Sequence, residues 1–596
     1  MPGFIINIGA KALDLPAETR QRLLVERLAG QGWQAERRVV RKFLNDRIFA
    51  ESEGYLVIVE GVVLNNHELM DRYASSSWEE CIIRMYEKEG ETFFNAFRGS
   101  FSGALYDKGA DKWIIYTGHT GEKQVFYSET PGGCLLASEM RYMVGALKLN
   151  GLPVSIDGTG AYMSLTHGFC MEDRTLVKEI HKLPAGHFLR LTAAGLEVIR
   201  YHRFSNKPDT AMTQAQAVEG IDRLFRQAVE RQFEKDLEYG YRHLACLSGG
   251  LDSRMTVWVA HEMGYTDQTN VDFSQSGYLD FSISQQIAID LHHDYFFTPL
   301  DGGDFIPRYK FSPEITYGSG FLMGHGQTME RIINYDRFGI FHTGQIGDAV
   351  IGTFFKKNEY NPEVKLGQGA YSQELLERLD GYEFKQDYEN EEIFCLYTRA
   401  FTGANQGLLT FQENTESCSP FTDVDFLEFC YSIPLGLRFN HKIYFDWILE
   451  KYPGAAAYVW EKTRKKIEPF TNTPPRYMNV LGYRVPHFSD PAFPRYLKGF
   501  ILRRLGLRKK GGKTPTIVQD SPDNMNPVDY WYRTNPALKE FTDTFWAENA
   551  QIIPYPELKA DMTHLYEDCT AYDKLQCLSV LAAMKLILEN RDVQDC

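Results

Sequence analysis

The sequence predicts two domains of different class: an α+β domain with much antiparallel sheet over residues 1–206, then an α/β domain with a parallel sheet over residues 207–596. Three observations predict this. At 596 residues the chain exceeds what one hydrophobic core can serve. Short β-branched and aromatic runs dominate before residue 207, whereas helices alternate with short buried strands after it. Residues 246–254 read CLSGGLDSR, a glycine-rich turn between an apolar strand and a run of helix formers.

In the first half, residues 55–64 (YLVIVEGVVL) and 112–117 (KWIIYT) read as strands, with shorter ones at 101–106 and 135–137. Helices are predicted at 23–31 and 79–89. The polar stretch SNKPDT marks the boundary. Thr213 and Gln216 then form a capping box for a helix that carries Val218, Ile221, Phe225, Val229 and Phe233 on one face. Buried strands follow at 244–247, 271–273 and 340–343. Long helical stretches between them imply a parallel sheet, whose ligands sit beyond the carboxyl ends of its strands. Residues 356–395 and 472–535, rich in Tyr, Pro and charge, read as insertions or lids.

A net charge of −15 argues against a general nucleic-acid binder. The one basic stretch, 503–513 (RRLGLRKKGGK), reads as a solvated segment, with a grip on an acidic peptide or polyanion as the alternative. Ten scattered cysteines without C-x-x-C spacing fit reduced thiols in a cytosolic protein better than a disulfide or zinc framework. The first residues, MPGFIINIGA, carry no signal-peptide pattern, and no apolar run reaches the roughly 18 residues of a membrane span. A cytoplasmic protein with no membrane and no nucleic-acid partner is expected.

The turn at 248–253 carries the chemistry. Gly249 and Gly250 let the backbone approach an anion, Leu251 leads into the helix N-terminus, and Ser248 and Ser253 add hydroxyl donors. Asp252 supplies a hard oxygen for Mg2+ bound to phosphates. The pattern is not the G-x-x-x-x-G-K-[ST] loop of GTPases. It resembles the pyrophosphate loop of ATP-pyrophosphatases, which split ATP between the α and β phosphates; a glycine-rich turn of any doubly wound domain is the alternative.

With that loop in place the whole chain resembles the asparagine synthetase family. Residues 61–69 (GVVLNNHEL), 97–107 (FRGSFSGALYD) and 118–127 (GHTGEKQVFY) are similar to its glutaminase-domain signatures, and 180–187 (IHKLPAGH) to its hinge. In the second half SGGLDS is followed by 273–280 (FSQSGYLD), 342–348 (HTGQIGD), 419–432 (SPFTDVDFLEFCYS) and 462–467 (KTRKKI). The resemblance implies an N-terminal-nucleophile glutaminase-like domain and an ATP-pyrophosphatase synthetase domain, with ATP and Mg2+ as cofactors. Two departures imply that the first domain is degenerate. The family's nucleophilic cysteine follows the initiator methionine, whereas here Pro2 does and the first cysteine is Cys81; its Asn-Gly-Glu glutamine grip is replaced by Glu60-Gly61-Val62. The chain thus resembles the β-lactam synthetases, carbapenam synthetases and lasso-peptide cyclases, which adenylate a carboxylate and close it onto an amine without ammonia.

Carried over residue by residue, the resemblance places the pyrophosphate on Ser248, Gly249, Gly250, Leu251 and Ser253, and metal on Asp252 and Asp348. Either aspartate alone could instead be a helix N-cap. Phe273 and Ser274 fall where the family lines its adenine pocket, with core packing as the alternative, and Gly344 lets its loop pass close to the nucleotide. Lys466 matches the lysine that approaches the α-phosphate, with Lys465 as the register alternative and a surface basic run as the bland one. Gln345 and Gln406 stand where β-lactam-forming relatives carry a tyrosine–glutamate dyad; neither can take a proton, so either the amine arrives unprotonated or Glu413, Glu416 or a substrate carboxylate serves as the base. His292 and His293 are read as structural. The function expected is an amide-bond-forming ligase that joins a small-molecule or peptide carboxylate to an amine without glutamine, such as macrolactam closure on a precursor, with a biosynthetic partner protein conceivable. Amidation with free or partner-supplied ammonia, and a pseudoenzyme scaffold, are the alternatives.

Overall fold

The computed structural model describes residues 3–308, 332–469 and 520–589, and the backbone of 477–480 and 483–486. The basic stretch 503–513 and most of 472–535 lie outside the described residues.

The first half is two six-stranded antiparallel sheets packed face to face. One has the order β10-β8-β9-β1-β3-β2 and is built from β1 (Gly3–Gly9), β2 (Leu23–Gly30), β3 (Trp33–Val40), β8 (Phe126–Thr130), β9 (Gly133–Ala137) and β10 (His181–Lys182). The other, ordered β12-β11-β7-β6-β5-β4, uses β4 (Ile48–Glu51), β5 (Tyr55–Val63), β6 (Gly99–Asp107), β7 (Lys112–Thr117), β11 (His187–Thr192) and β12 (Gly195–Arg200). Alternation along β1 sends Phe4 and Ile6 into the layer between the sheets, against Ile58, Ile115 and Leu136, and Ile5 to the opposite face. Helices Asn66–Arg72 and Trp78–Glu89 cover the second sheet, and helices Met140–Leu149 and Gly158–His167 cover the first.

The helix expected at 23–31 is instead strand β2, paired with β3 from Leu23↔Val40 to Gly30↔Trp33. Its residues tolerate a helix, but the tight turn through Gly32, at φ 76°, delivers β3 alongside and the pairing overrides propensity. The expected helix at 79–89 is present as Trp78–Glu89, with Ser77 accepting the Glu80 amide as N-cap.

The second half opens with helix Gln214–Glu238, whose Thr213/Gln216 capping box forms as expected and whose apolar face buries Val218, Ile221, Phe225, Val229 and Phe233. Five parallel strands follow in the order β15-β14-β13-β16-β17: β13 (Arg242–Cys246), β14 (Gln268–Ser274), β15 (Asp294–Pro299), β16 (Phe338–His342) and β17 (Ser417–Cys418). Helices Pro556–Asp568 and Ala571–Leu588 return to the first half, where Leu578, Leu581 and Met584 join a core containing Ile5, Leu135 and Met143.

Candidate functional site

The chain runs from β13 through β14 to β15 on one side and then crosses to β16 and β17 on the other, so the carboxyl ends of adjacent β13 and β16 mark the topological switch point. The loop after β13 enters helix Asp252–Glu262, and the loop after β16 enters helix Gly347–Ile351. These two turns interlock. A Cβ on Gly344 would lie 2.2 Å from the Ser253 amide nitrogen, so only glycine lets the backbones approach this closely. Ile346 adopts φ 62°, and the turn it makes presents the Asp348 amide to Asp252 Oδ2 at 2.9 Å. The other carboxylate oxygen, Oδ1, accepts the Tyr444 hydroxyl at 2.9 Å from helix Lys442–Lys451.

The glycine-rich turn is braced from both sides. Ser248 donates its amide to Ser253 Oγ at 2.9 Å, and the two hydroxyls lie 2.9 Å apart. The Gly249 amide donates to Asp280 Oδ1. Arg254, with no exposed surface, donates to Gly249 O at 2.8 Å and to Val459 O at 2.7 Å, tying the turn to the segment that carries Trp460, Glu461 and Lys462.

A cavity of about 690 Å³ opens over these loops, large enough for a nucleotide and part of a second substrate. Ser248, Gly250, Leu251, Asp252, Ser253, Phe273, Gly344, Gln345, Asp348 and Gln406 all line it. Gln345 Nε2 donates to Ala404 O at 2.6 Å, which seats it as a fixed neutral amide. Gly249 and Ser274 sit behind the wall: the Gly249 amide turns to Asp280, and Ser274 is fully buried with its hydroxyl on Gln275 O at 3.4 Å.

Lys466 requires a correction. The turn after Trp460 is closed by the Trp460 amide donating to Lys465 O at 2.9 Å, with Arg464 at φ 58°. That turn leaves Lys465 and Lys466 exposed and outside the lining, and places Lys462 in the cavity. Glu413 and Glu416 are also corrected, because arginines and a lysine of the first half claim them. Glu413 receives Arg20 at 2.8 Å, Arg22 at 3.1 Å and Arg141 at 2.9 Å; Glu416 receives Arg47 and, at 2.7 Å, Lys123. Both carboxyls are held below the usual range: burial opposes this, and surrounding positive charge, including Arg141 and Arg20 for Glu413 and Lys123 and Arg47 for Glu416, outweighs it; neither reaches the cavity. His293 bonds Asn270 Oδ1 at 2.8 Å and His261 at 2.9 Å, a structural chain.

The electrostatics of the cavity are strained toward a cation. Burial, and then the neighbouring Asp348 charge, pushes the Asp252 carboxyl up to about 8, against the relief given by the Asp348 amide and the Tyr444 hydroxyl. Two carboxylates of this kind from adjacent strand ends suit a hard divalent ion, which would cancel the repulsion that now raises Asp252. Burial and Asp280 likewise push Glu461 up to about 7, and its buried Oε2 has no partner. Burial lowers His441, so its imidazole is neutral at pH 7. Asp280, Arg254, Tyr444, Glu461 and Lys462 were assigned no role from sequence. Asp280 and Lys462 lie inside the family-like stretches 273–280 and 462–467, which was the one available signal.

The profile of the glutamine amidotransferase domain family matches residues 45–202, and that of the asparagine synthase family matches residues 220–312. Both matched domain types, in this order, make the chain similar to the asparagine synthetases. Among its asparagine synthetase relatives, a putative glutamine-hydrolyzing asparagine synthetase of Mycobacterium tuberculosis is 25% identical over 255 residues, covering 40% of this chain and 38% of the relative. Asparagine synthetase [glutamine-hydrolyzing] 2 of Bacillus subtilis is 26% identical over 275 residues (41% and 34% of the two chains), and asparagine synthetase B of Escherichia coli is 23% identical over 282 (44% and 45%). The chain spans less than half the length of each of these asparagine synthetase relatives. Among solved structures, the glutamine phosphoribosylpyrophosphate amidotransferase of B. subtilis aligns with a TM-score of 0.23 at 10% identity, over 50% of this chain and 85% of that one. Among the described residues no helix is long and apolar enough to cross a membrane.

Proposed function

We propose that this chain is an ATP-dependent carbon–nitrogen ligase that adenylates a carboxylate and passes the acyl group to an amine without hydrolysing glutamine. The observation that carries the reading is the junction of the 248–253 turn with Asp348 across one cavity at the switch point of a parallel sheet. A substrate carboxylate oxygen attacks the α-phosphorus of ATP, the bond to the β-phosphate breaks, and pyrophosphate leaves. The amine nitrogen then attacks the acyl carbon and AMP leaves. The carboxylate is already an anion, so the protein contributes position and charge neutralisation. Ser248, Ser253 and the Gly250 backbone bind pyrophosphate, and Lys462 faces the phosphate charge. Asp252 and Asp348 would hold Mg2+, which supplies charge neutralisation on the phosphates. Glu461, titrating near neutrality with an open oxygen, takes the amine proton.

Glutamine independence rests on the first half. Cys81 is fully buried within the helix Trp78–Glu89, out of reach of substrate. Glu60 is 2% exposed, 3.4 Å from Arg47 and 3.8 Å from Lys123, and Val62 is buried. The segment that grips glutamine in the family is therefore packed inside an ionic cluster that Glu416 closes from the other half. This favours an amine acceptor, with closure of a peptide or natural-product precursor as the finer form. The deciding experiment is ATP–pyrophosphate exchange by the full chain with panels of carboxylates, followed by product analysis with amines, ammonium or glutamine. Exchange with no carboxylate, or product formed with glutamine alone, would overturn the reading; product formed with ammonium alone would favour amidation.

A further inference from the structure

Away from the nucleotide cavity, three chemically different metal ligands converge from two distant stretches of chain. Glu374 precedes the short helical turn Leu376–Leu379, His564 lies in the last turns of helix Pro556–Asp568, and Cys569 caps that helix. Their ligand atoms all lie within 4.8 Å of one another. We propose that Glu374, His564 and Cys569 form a zinc site that fastens the 371–380 segment to the C-terminal helices at the rim of the cavity.

Five features support it. The Cys569 Sγ to His564 Nε2 separation is 3.8 Å. Zinc–sulfur and zinc–nitrogen bonds of about 2.3 and 2.05 Å at a tetrahedral angle put the two ligands about 3.6 Å apart. The sulfur and nitrogen therefore already span one edge of a zinc tetrahedron. His564 Nδ1 is 2.9 Å from Asp568 Oδ2, which directs the Nε2 lone pair toward the thiol, the carboxylate–histidine arrangement that orients metal-bound imidazoles. The surroundings are acidic: Asp573, Glu374 and Asp568 bring negative charge to the Cys569 sulfur, which a dication would offset. Thiol, imidazole and carboxylate together suit zinc rather than Mg2+ or Ca2+. The His564 side chain is 50% exposed, which leaves an entry path and room for water as fourth ligand.

The same two stretches already touch through Arg378, which bonds Asp561 at 2.9 Å and pairs with Glu557. Three residues from the ligands on either side, Tyr371 and Tyr572 face each other with ring centroids 6.3 Å apart, and both line the nucleotide cavity. Zinc would thus fix the distance between two tyrosines of the cavity wall, and its loss would let that wall relax.

The test is zinc binding by the full chain in competition with a chromophoric chelator, with C569S, H564A, E374Q and D568N beside the wild type. One zinc per chain is expected, weakened at least tenfold by each ligand substitution and about tenfold by D568N, which only positions His564. Cobalt reports independently of affinity: the wild type should show a thiolate-to-cobalt charge-transfer band that C569S lacks. Thermal melts in EDTA should coincide for all five proteins, since the site is built at the surface. Absence of zinc binding by the wild type, a cobalt band in C569S, or zinc affinity unchanged by C569S and H564A would overturn the proposal.

Discussion

Tyr444 donates its hydroxyl to Asp252 Oδ1 at 2.9 Å, so the carboxylate at the mouth of the glycine-rich turn is held by a phenol 192 residues away in sequence. That bond fixes the orientation of the Asp252 carboxylate at the cavity wall. Tyr444→Phe removes one buried hydrogen bond to Asp252, about 0.5–1.5 kcal/mol. We expect at least a tenfold loss of ATP–pyrophosphate exchange with little change in fold by circular dichroism; unchanged exchange would show that the phenol does not orient the carboxylate.

Asp252 is costly to the free protein. Its folded pKa of about 8, against 3.8 in the unfolded chain, means that ionisation near pH 7 opposes folding. Asp252→Asn is expected to raise the thermal midpoint without Mg2+ or nucleotide, and Asp252→Ala to abolish AMP formation. AMP formation that survives in Asp252→Ala would remove its metal role.

For Glu461 the prediction is a pH profile. A base with a pKa of about 7 is protonated and inactive below it, so acyl transfer should rise through pH 7 to a plateau. Glu461→Gln should lower the plateau by about 10²-fold and flatten the limb, while pyrophosphate exchange persists. A limb that persists unchanged in the variant would assign the base elsewhere.

Glu122 makes stability depend on pH. Burial raises its carboxyl from 4.5 to about 7, partly offset by hydroxyls of Thr422, Ser100 and Thr120. Its contribution is fully present below pH 4.5 and is lost as pH rises through 7, about 3 kcal/mol in all. The fall in thermal midpoint between pH 5 and pH 8 should shrink in Glu122→Gln; an identical fall would place the titration on another group.

Glu416 joins the halves through Arg47 and Lys123, all three at most 1% exposed. Glu416→Gln leaves two buried cations facing Glu60 alone, at a cost of about 3–5 kcal/mol. Urea unfolding should show that loss in its extrapolated free energy and a correspondingly lower midpoint, and no change would mean that the cluster holds nothing together.

Much of the site was legible because its logic is local. The 248–253 turn, Asp348, Gly344 and the two glutamines reach one cavity, since glycines, helix starts and strand ends are written in neighbouring residues. The roles of Glu413 and Glu416 were not legible, because the arginines that neutralise them lie 272 to 393 positions away. Lys462 was displaced from notice by Lys466 because the left-handed Arg464 that separates them has no glycine signature. Strand β2 was hidden for the same reason: its partner β3, rather than its own pattern, decides its conformation.

The helix Ala571–Leu588 lays Leu578, Leu581 and Met584 into a core begun by Ile5, and contributes Tyr572 and Gln576 to the cavity. During synthesis, the core over the first sheet must therefore wait, only partly covered, through nearly four hundred residues after β10 for its completion. A ribosome that stalls before residue 571 leaves that core unfinished and the cavity without Tyr572 and Gln576, so an active cavity certifies that translation has passed that point.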